Sequence, residues 1–294
     1  MKIKLKVILP MMLIAAVLST GFSTSAEEHC GILSYIVCPE GVVITGVTDD
    51  TENITIPGQI DGKTVVGIRE NAFYKCDTLK SISIPHSVNK IGHHAFYGCC
   101  SLMKAEIDSD VLQIEEGCFS GCVSLKNIDI SGNVTSIGKY CFCRCESLER
   151  VSLPDTVKEI DKYAFYDCSS LESIELPDRL VTVGEFAFYN CTKLLLVNIP
   201  ESVSNIGSFA FGYYGKVPTA YEHFSVSGDE DSLGRKYAYE NSFEYISDND
   251  KNEDSGKHFS VLPVSLAIGA ATGLVLHKTI EKTGRLKYRY EYEK

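Results

Sequence analysis

Residues 160–182 read IDKYAFYDCSSLESIELPDRLVT, and the next 23 residues, VGEFAFYNCTKLLLVNIPESVSN, follow the same pattern. Each unit starts with Ile or Val, has Phe five residues later, Cys eight residues later and Leu eleven residues later. An alternating pair of apolar residues follows, and Pro often closes that pair. Similarity at a fixed period of 23 residues is typical of a solenoid, because a single coil cannot bury its own apolar side chains.

The repeat extends over seven consecutive units, so its coils are expected to stack along one axis. The units start at Ile68, Ile91, Ile114, Ile137, Ile160, Val183 and Ile206. The equivalent aromatic residues are Phe73, Phe96, Phe119, Phe142, Phe165, Phe188 and Phe211. Alternation around Ile82 and Ile84 predicts a short strand with one buried face. The period therefore predicts a β-rich solenoid with one parallel sheet of about eight strands and one buried row of Phe rings.

The unit at residues 160–171 resembles the BspA-like leucine-rich repeat family, whose repeats are also called the Treponema pallidum type. The resemblance covers residues 32–246 and implies a right-handed leucine-rich repeat array. Members of that family are bacterial surface or secreted proteins, with relatives in some mucosal protozoa. They are associated with adhesion to host proteins and with co-aggregation. The resemblance thus implies a binding or adhesive function at the bacterial cell surface.

Two non-repetitive segments flank the array and are expected to cover its ends. Residues 27–66 form the predicted N-terminal cap, with a hairpin signal around Pro39 to Gly41 and an incomplete first repeat. Residues 67–211 form the 23-residue repeats, and residues 212–246 form the predicted C-terminal cap. Such covers are needed because bare coil ends expose apolar side chains and unpaired strand edges.

The first 26 residues have the features of a secretory signal peptide. Lys2, Lys4 and Lys6 precede an apolar run, and small residues lead to a cleavage site after Ala26. This pattern predicts that the chain is secreted.

The C-terminal part predicts attachment to a membrane. Residues 247–258 are polar and acidic and are interpreted as a linker. Residues 259–277 contain a stretch of 17 uncharged residues, the low end of what spans a bilayer as a helix. The basic tail, residues 278–294, favours the cytoplasmic side, which places the folded part outside the cell. The alternative is that the C-terminal helix predicted at residues 259–277 packs on the folded domain and is not a transmembrane helix.

Composition and charge argue against two classes of function. The chain has 28 Lys and Arg against 39 Asp and Glu, and residues 27–246 alone carry a formal charge of −15. Nucleic acid is therefore not an expected partner, since affinity for phosphate depends on basic side chains. No phosphate-binding loop, nucleophile elbow or metalloprotease helix is found in the sequence. We therefore expect no enzymatic activity and no cofactor.

The twelve cysteines are interpreted chiefly as core residues, because six of them occupy one repeat position. Cys141, Cys143 and Cys145 form the densest cluster, but one-residue gaps differ from the spacing of paired zinc ligands. No metal is expected there. Cys118 and Cys141 share a repeat position one coil apart, so a disulfide between them is an open alternative. Most core thiols are expected to be reduced.

The predicted binding site is the outward face of the sheet, since solenoids use such continuous faces to bind partners. We call this surface the strand face; it comprises Ser81, Ser83, Lys104, Glu106, Asn127, Asp129, Arg150, Ser152, Ser173, Glu175, Leu196 and Asn198. Leu195 and Leu196 differ from the other units in being apolar. The alternative is a plain solvated surface.

A second candidate is the row Tyr74, Tyr97, Tyr166 and Tyr189, which either binds a partner or simply covers the edge of the core. His93 and His94 are interpreted as residues of a solvated turn.

The sequence leads to one functional hypothesis and one rival. The first is a membrane-anchored surface protein whose solenoid binds a protein or another surface macromolecule. The second is a structural spacer of the cell envelope without a specific partner.

Overall fold

The chain forms a β-solenoid of about nine turns with mostly parallel strands, as seen in a computed structural model. The structure describes residues 27–247 and, beyond them, only the backbone of three short strands. The predicted signal peptide, nearly all of the linker, most of the predicted anchor and part of the tail lie outside the described residues.

The N-terminal cap is a small, mostly antiparallel sheet that leads into the first coils. Its strands are β1 (Glu28–Cys30), β2 (Leu33–Cys38), β3 (Gly41–Val47), β5 (Gln59–Ile60) and β6 (Lys63–Ile68), whereas β4 (Asn53–Thr55), between β3 and β5, pairs into the sheet of the strand face. β2 and β3 form a hairpin in which Cys38 lies opposite Gly41, at the turn that the sequence indicates. β3 then pairs in parallel with β6. The strand pairing thus changes from antiparallel in the hairpin to parallel in the solenoid.

Each coil of the array contributes one extended segment to the strand face and one two-residue strand to the opposite side, which we call the rear ladder. In chain order the strands are β7 (Ser81–Ile84), β8 (Lys90–Ile91), β9 (Lys104–Ser109), β10 (Gln113–Ile114), β11 (Asn127–Gly132), β12 (Ser136–Ile137), β13 (Arg150–Ser152), β14 (Glu159–Ile160), β15 (Thr182–Val183), β16 (Leu196–Asn198) and β17 (Asn205–Ile206).

The prediction of a single parallel sheet is wrong in two respects. First, a separate rear ladder exists, in the order β10-β12-β14-β15-β17. A coil of 23 residues holds two extended segments, and in most coils each of them pairs with its counterpart in the next coil. Second, the sheet of the strand face, in the order β4-β7-β9-β11-β13, stops at β13. The next strand-face segment, residues 173–176, forms no strand.

The predicted row of Phe rings is confirmed and forms the centre of the core. All seven rings are buried, and successive ring centroids lie between 4.7 and 5.5 Å apart. Backbone hydrogen bonds join the coils at the same place. The Phe142 N–H, for example, donates to the carbonyl oxygen of Ala164, the residue before Phe165 in the next coil, at 2.7 Å. Ring stacking and backbone hydrogen bonds thus hold each coil to its neighbour.

The C-terminal cap contains a hairpin, two further strands of the strand face and one helix. Its elements are β18 (Tyr213–Tyr214), β19 (Thr219–Ala220), β20 (Ser225–Gly228), α1 (Leu233–Glu240) and β21 (Glu244–Ser247). β16, β20 and β21 form a parallel sheet of their own. α1 buries Tyr237 and Ala238 against the last coil.

Three more strands follow, β22 (Ser265–Ala267), β23 (Leu274–Ile280) and β24 (Leu286–Tyr292), paired antiparallel in that order. The parts of the predicted anchor that the structure describes are therefore extended segments. Within the residues whose placement is described, no helix is both long and apolar enough to cross a membrane.

Candidate functional site

The strand face places the predicted binding residues in rows that run across the coils. Ser81, Lys104, Asn127 and Arg150 lie side by side in register on β7, β9, β11 and β13. Ser83, Glu106, Asp129 and Ser152 form a second row, two residues further along each strand. The intervening side chains, such as Ile128, are buried, because successive residues of a strand point to opposite sides.

Charges of both signs meet on this surface. Lys104 Nζ and Glu106 Oε1 form an ion pair within β9. The hydrogen bond to Glu106 and its negative charge raise the pKa of Lys104. At the N-terminal margin, Lys80 Nζ lies 2.6 Å from Glu52 Oε1. These groups are exposed, so we expect each pair to contribute little to stability and to leave the charges available to a partner.

The last four predicted residues are exposed but do not belong to the same sheet as the first eight. Ser173 and Glu175 lie in the segment that forms no strand. Leu196 and Asn198 lie on β16, where Leu196 is in register with Ser225 of β20. The Ser227 hydroxyl donates to Asn198 Oδ1 at 3.2 Å. The structure therefore divides the predicted site into an N-terminal and a C-terminal part.

The row of tyrosines is also divided. Tyr74 stacks on Tyr97 at 5.2 Å and Tyr166 stacks on Tyr189 at 5.6 Å, with Ser120 and Cys143 at the two positions between the pairs. Burial raises the pKa of Tyr166 and of Tyr189. Tyr189 is itself buried, and its hydroxyl donates to the Gly215 carbonyl oxygen. This second pair therefore serves mainly to cover the core.

Sequence reasoning missed a second aromatic column beside that row. Tyr140, Tyr163, Phe186 and Phe209 follow one another at centroid distances of 4.9, 5.2 and 5.3 Å. All four have φ between 55 and 58°, the left-handed region that non-glycine residues rarely adopt. Their common position, three residues after the start of each unit, is the signal that could have revealed the column.

The cysteines at the repeated position are buried in the core, as the sequence predicts, except the first of them, Cys76, which is half-buried. Cys99, Cys122, Cys145, Cys168 and Cys191 each donate a thiol hydrogen bond to the carbonyl oxygen of the Phe in the preceding coil, at 3.0 to 3.2 Å. Cys118 and Cys141 are buried free thiols, so the open alternative of a disulfide between them is not realised. Burial raises the pKa of Cys118 and Cys141. Between residues 27 and 247 no group of three or more His, Cys, Asp or Glu is placed to hold a metal ion.

Two shallow depressions lie on the surface of the C-terminal coils. One, of about 470 Å³, lies on the rear ladder between Glu159, Thr182 and Asn205. The other, of about 620 Å³, lies between Asp178, Glu201 and Asp229. Both are lined mainly by polar and charged side chains. The strand face, in contrast, carries rows of exposed side chains across several coils, which suit contact with a large partner.

Comparison with known proteins agrees with the repeat pattern. A family model described as the BspA type leucine-rich repeat region, in six copies, matches residues 48–171 and 135–247. The crystal structure of a T. pallidum leucine-rich repeat protein is similar, with a TM-score of 0.55 and 29% identity over 75% of this chain and 98% of that chain. A leucine-rich cell surface protein from Faecalibacterium prausnitzii covers 76% of this chain at 22% identity, with a TM-score of 0.44 and 73% of its own length aligned. No curated protein matches the chain significantly.

Proposed function

Because this chain belongs to the family of BspA-type leucine-rich repeat proteins, we propose that it binds a surface macromolecule through its strand face. Proteins of this family are typically found at the cell surface, and leucine-rich repeats are generally binding scaffolds without catalytic activity. Adhesion to host or bacterial surface proteins is the function that the family resemblance favours.

The observation that supports binding is the register of the strand face. Lys104, Asn127 and Arg150 stand in one row, and Glu106, Asp129 and Ser152 stand in the next. Neighbouring strands of a sheet lie about 4.8 Å apart, so these side chains form a fixed pattern of donors, acceptors and charges. A rigid pattern loses little conformational freedom when a partner binds, which favours affinity.

We also propose that the chain is secreted and held at the membrane by residues 259–277, with the solenoid outside. The support comes from the sequence: a leader with three Lys and an apolar run, 17 uncharged residues near the C-terminus, and a basic tail after them. An anchored solenoid keeps its strand face at the cell surface, where a macromolecular partner can reach it.

Capture with the full-length chain tests the binding proposal. The purified chain, in mild detergent, is used to capture proteins from surface extracts of bacteria and of mucosal host cells. Variants Glu106→Lys and Asp129→Lys on the strand face are compared with Glu116→Lys and Glu159→Lys, which lie away from it. We expect the first pair to lose the captured partner and the second pair to keep it.

The rival function, an envelope spacer, makes the opposite prediction. A spacer tolerates all four substitutions and captures nothing reproducibly. Equal losses in all four variants would mean that bulk negative charge, rather than the strand face, controls attachment.

A further inference from the structure

The strand face is interrupted at one coil. β13 pairs with β11, and β16 pairs with β20, but no backbone hydrogen bond joins residues 173–176 to either neighbour among the described residues. The rear ladder passes the same coil without a gap, because β14, β15 and β17 pair in sequence. Hydrogen bonds of the rear ladder therefore hold these coils together, whereas the strand face has no ladder hydrogen bonds at this coil.

The apolar side chains under the break remain buried although their backbone is unpaired. Ile174 and Leu176 retain 7 and 8% of their surface exposed, close to the 8% of Val151 on the paired strand β13 of the preceding coil. Segments without ladder hydrogen bonds are the ones that open and adjust most easily. The break is thus the part of the strand face best able to adapt to a partner.

An apolar pair adjoins the break on its C-terminal side. Leu195 and Leu196 are each 48% exposed, although the equivalent residues of the preceding coil are Glu172 and Ser173. The exposed area of two adjacent leucines supplies the apolar centre that protein interfaces commonly have. We call Leu195, Leu196 and residues 172–176 the leucine patch.

Carboxylates surround this apolar centre. Glu172 and Glu175 are exposed on the coil before it, and Glu244 is exposed on β21, in the same row as Leu196 and Ser225. Lys193 Nζ lies 3.1 Å from Glu172 Oε1 and so offsets one of these charges. Glu175 takes part in no ion pair within the described part of the chain. The rim therefore complements basic side chains.

We propose that the leucine patch docks an exposed segment of a partner protein in which large apolar side chains are flanked by Lys or Arg. This inference rests on the proposed binding function and adds the position of the site and the chemistry of the partner. The apolar side chains of the partner cover Leu195 and Leu196, and its basic side chains meet Glu172 and Glu175. The negative charge of the whole solenoid increases the rate of encounter with such a segment.

Synthetic peptides test this proposal with the full-length chain. The first series carries two adjacent Leu or Phe flanked on both sides by Lys or Arg. A second series has Ala in place of the apolar pair, and a third has Glu in place of the basic residues. We expect binding to the first series only. Leu195→Ser with Leu196→Ser, and separately Glu175→Lys, should weaken it about tenfold or more, as for central interface residues.

Matched variants elsewhere provide the controls. Leu112→Ser, at a side chain that is 64% exposed, and Glu159→Lys on the rear ladder should leave peptide binding unchanged. All variants should melt like the wild type, since each changes an exposed side chain. Equal binding by the leucine variants and the wild type, or equal binding to the Ala series, would overturn the proposal.

Further outcomes identify other occupants and also overturn the proposal. If only a chain that lacks residues 278–294 binds the peptides, the basic tail of this chain occupies the patch. If the leucine variants convert a dimer to a monomer in sedimentation, a second copy occupies it. If strand-face capture is lost through Glu106→Lys but not through the leucine variants, the binding function stands and the leucine patch is not its site.

Discussion

The phenolic oxygen of Tyr237 forms hydrogen bonds with both backbone groups of Phe211. It donates to the Phe211 carbonyl oxygen at 2.9 Å and accepts from the Phe211 N–H at 3.0 Å. For the Phe of an earlier coil, the coil that follows supplies these partners. The Phe165 N–H donates to the Ala187 carbonyl oxygen, and the Phe165 carbonyl oxygen accepts from the Cys191 thiol. Phe211 has no such coil after it, so one side chain of α1 satisfies both groups and ends the stack.

We predict that Tyr237→Phe lowers the free energy of unfolding by about 1–3 kcal/mol, the usual cost of leaving buried polar groups unsatisfied. The apolar ring remains in place, so the loss reports the hydroxyl alone. Denaturant unfolding measures it. Tyr239→Phe is the matched control, because Tyr239 lies on the same helix and is 76% exposed. Equal stability of the two variants would contradict the assigned capping function.

Truncation of a ring in the middle of the Phe column should be far more costly. Phe142 is fully buried, between Phe119 at 5.5 Å and Phe165 at 5.1 Å. We expect Phe142→Ala to lower stability by about 3–5 kcal/mol, because a cavity remains and two ring contacts are lost. Thermal melting provides the measurement, with Tyr74→Ala, at a 46% exposed ring, as control. An unchanged melting temperature would show that the column is not the core.

Gly184 marks a close approach between two coils. A Cβ atom there would lie 2.4 Å from the backbone nitrogen of Lys162 and 2.5 Å from the carbonyl carbon of Asp161. We predict that Gly184→Ala destabilises the chain by about 1–3 kcal/mol, the range for overpacking. Gly58→Ala is the control, since a Cβ there meets only the Ser87 hydroxyl at 3.8 Å. The two variants should differ in urea midpoint but not in slope.

Thiol labelling should separate the cysteines by burial and by pH. Burial raises the pKa of Cys76 and of Cys143 to about 11. Only the thiolate reacts, so their labelling rate should rise about tenfold for each pH unit up to 11. Fully buried Cys118 and Cys145 should react only in denaturant, whereas exposed Cys30 should react in the folded chain. Peptide mass spectrometry after maleimide treatment gives the rates. Labelling of Cys145 as fast as Cys30 without denaturant would contradict this order.

Deletion of residues 259–294 should release a folded solenoid into the culture medium, because it removes the 17 uncharged residues and the basic tail. Fractionation followed by immunoblotting measures the distribution. A chain that lacks only residues 278–294 is the control and should remain with the membrane. The anchor hypothesis fails if the longer deletion stays membrane-bound, or if the full chain is wholly soluble.

Much of the fold was predictable because the repeat is a local pattern. Phe five residues after each start and alternating residues such as Ile82 and Ile84 indicate the column and the strands without knowledge of the remaining chain. The rear ladder was missed because its strands, such as β14, have only two residues each, too few to produce an alternation. The second aromatic column was missed because its first three units have Asn71, His94 and Gly117 instead of Tyr or Phe.

The sequence by itself determined that this chain is a solenoid, how long its coils are and which side chains fill the core, because each coil repeats the same spacing of apolar residues. Only the tertiary structure decided where the strand face is interrupted. Residues 173–176 alternate just as β7 does, yet β7 pairs and they do not. Whether two strands pair depends on the distance between their coils, and the packing of all the coils together sets that distance. In the same way, Tyr237 caps Phe211 across 26 residues of chain, because the last coil leaves two backbone groups that only a neighbour in space can satisfy.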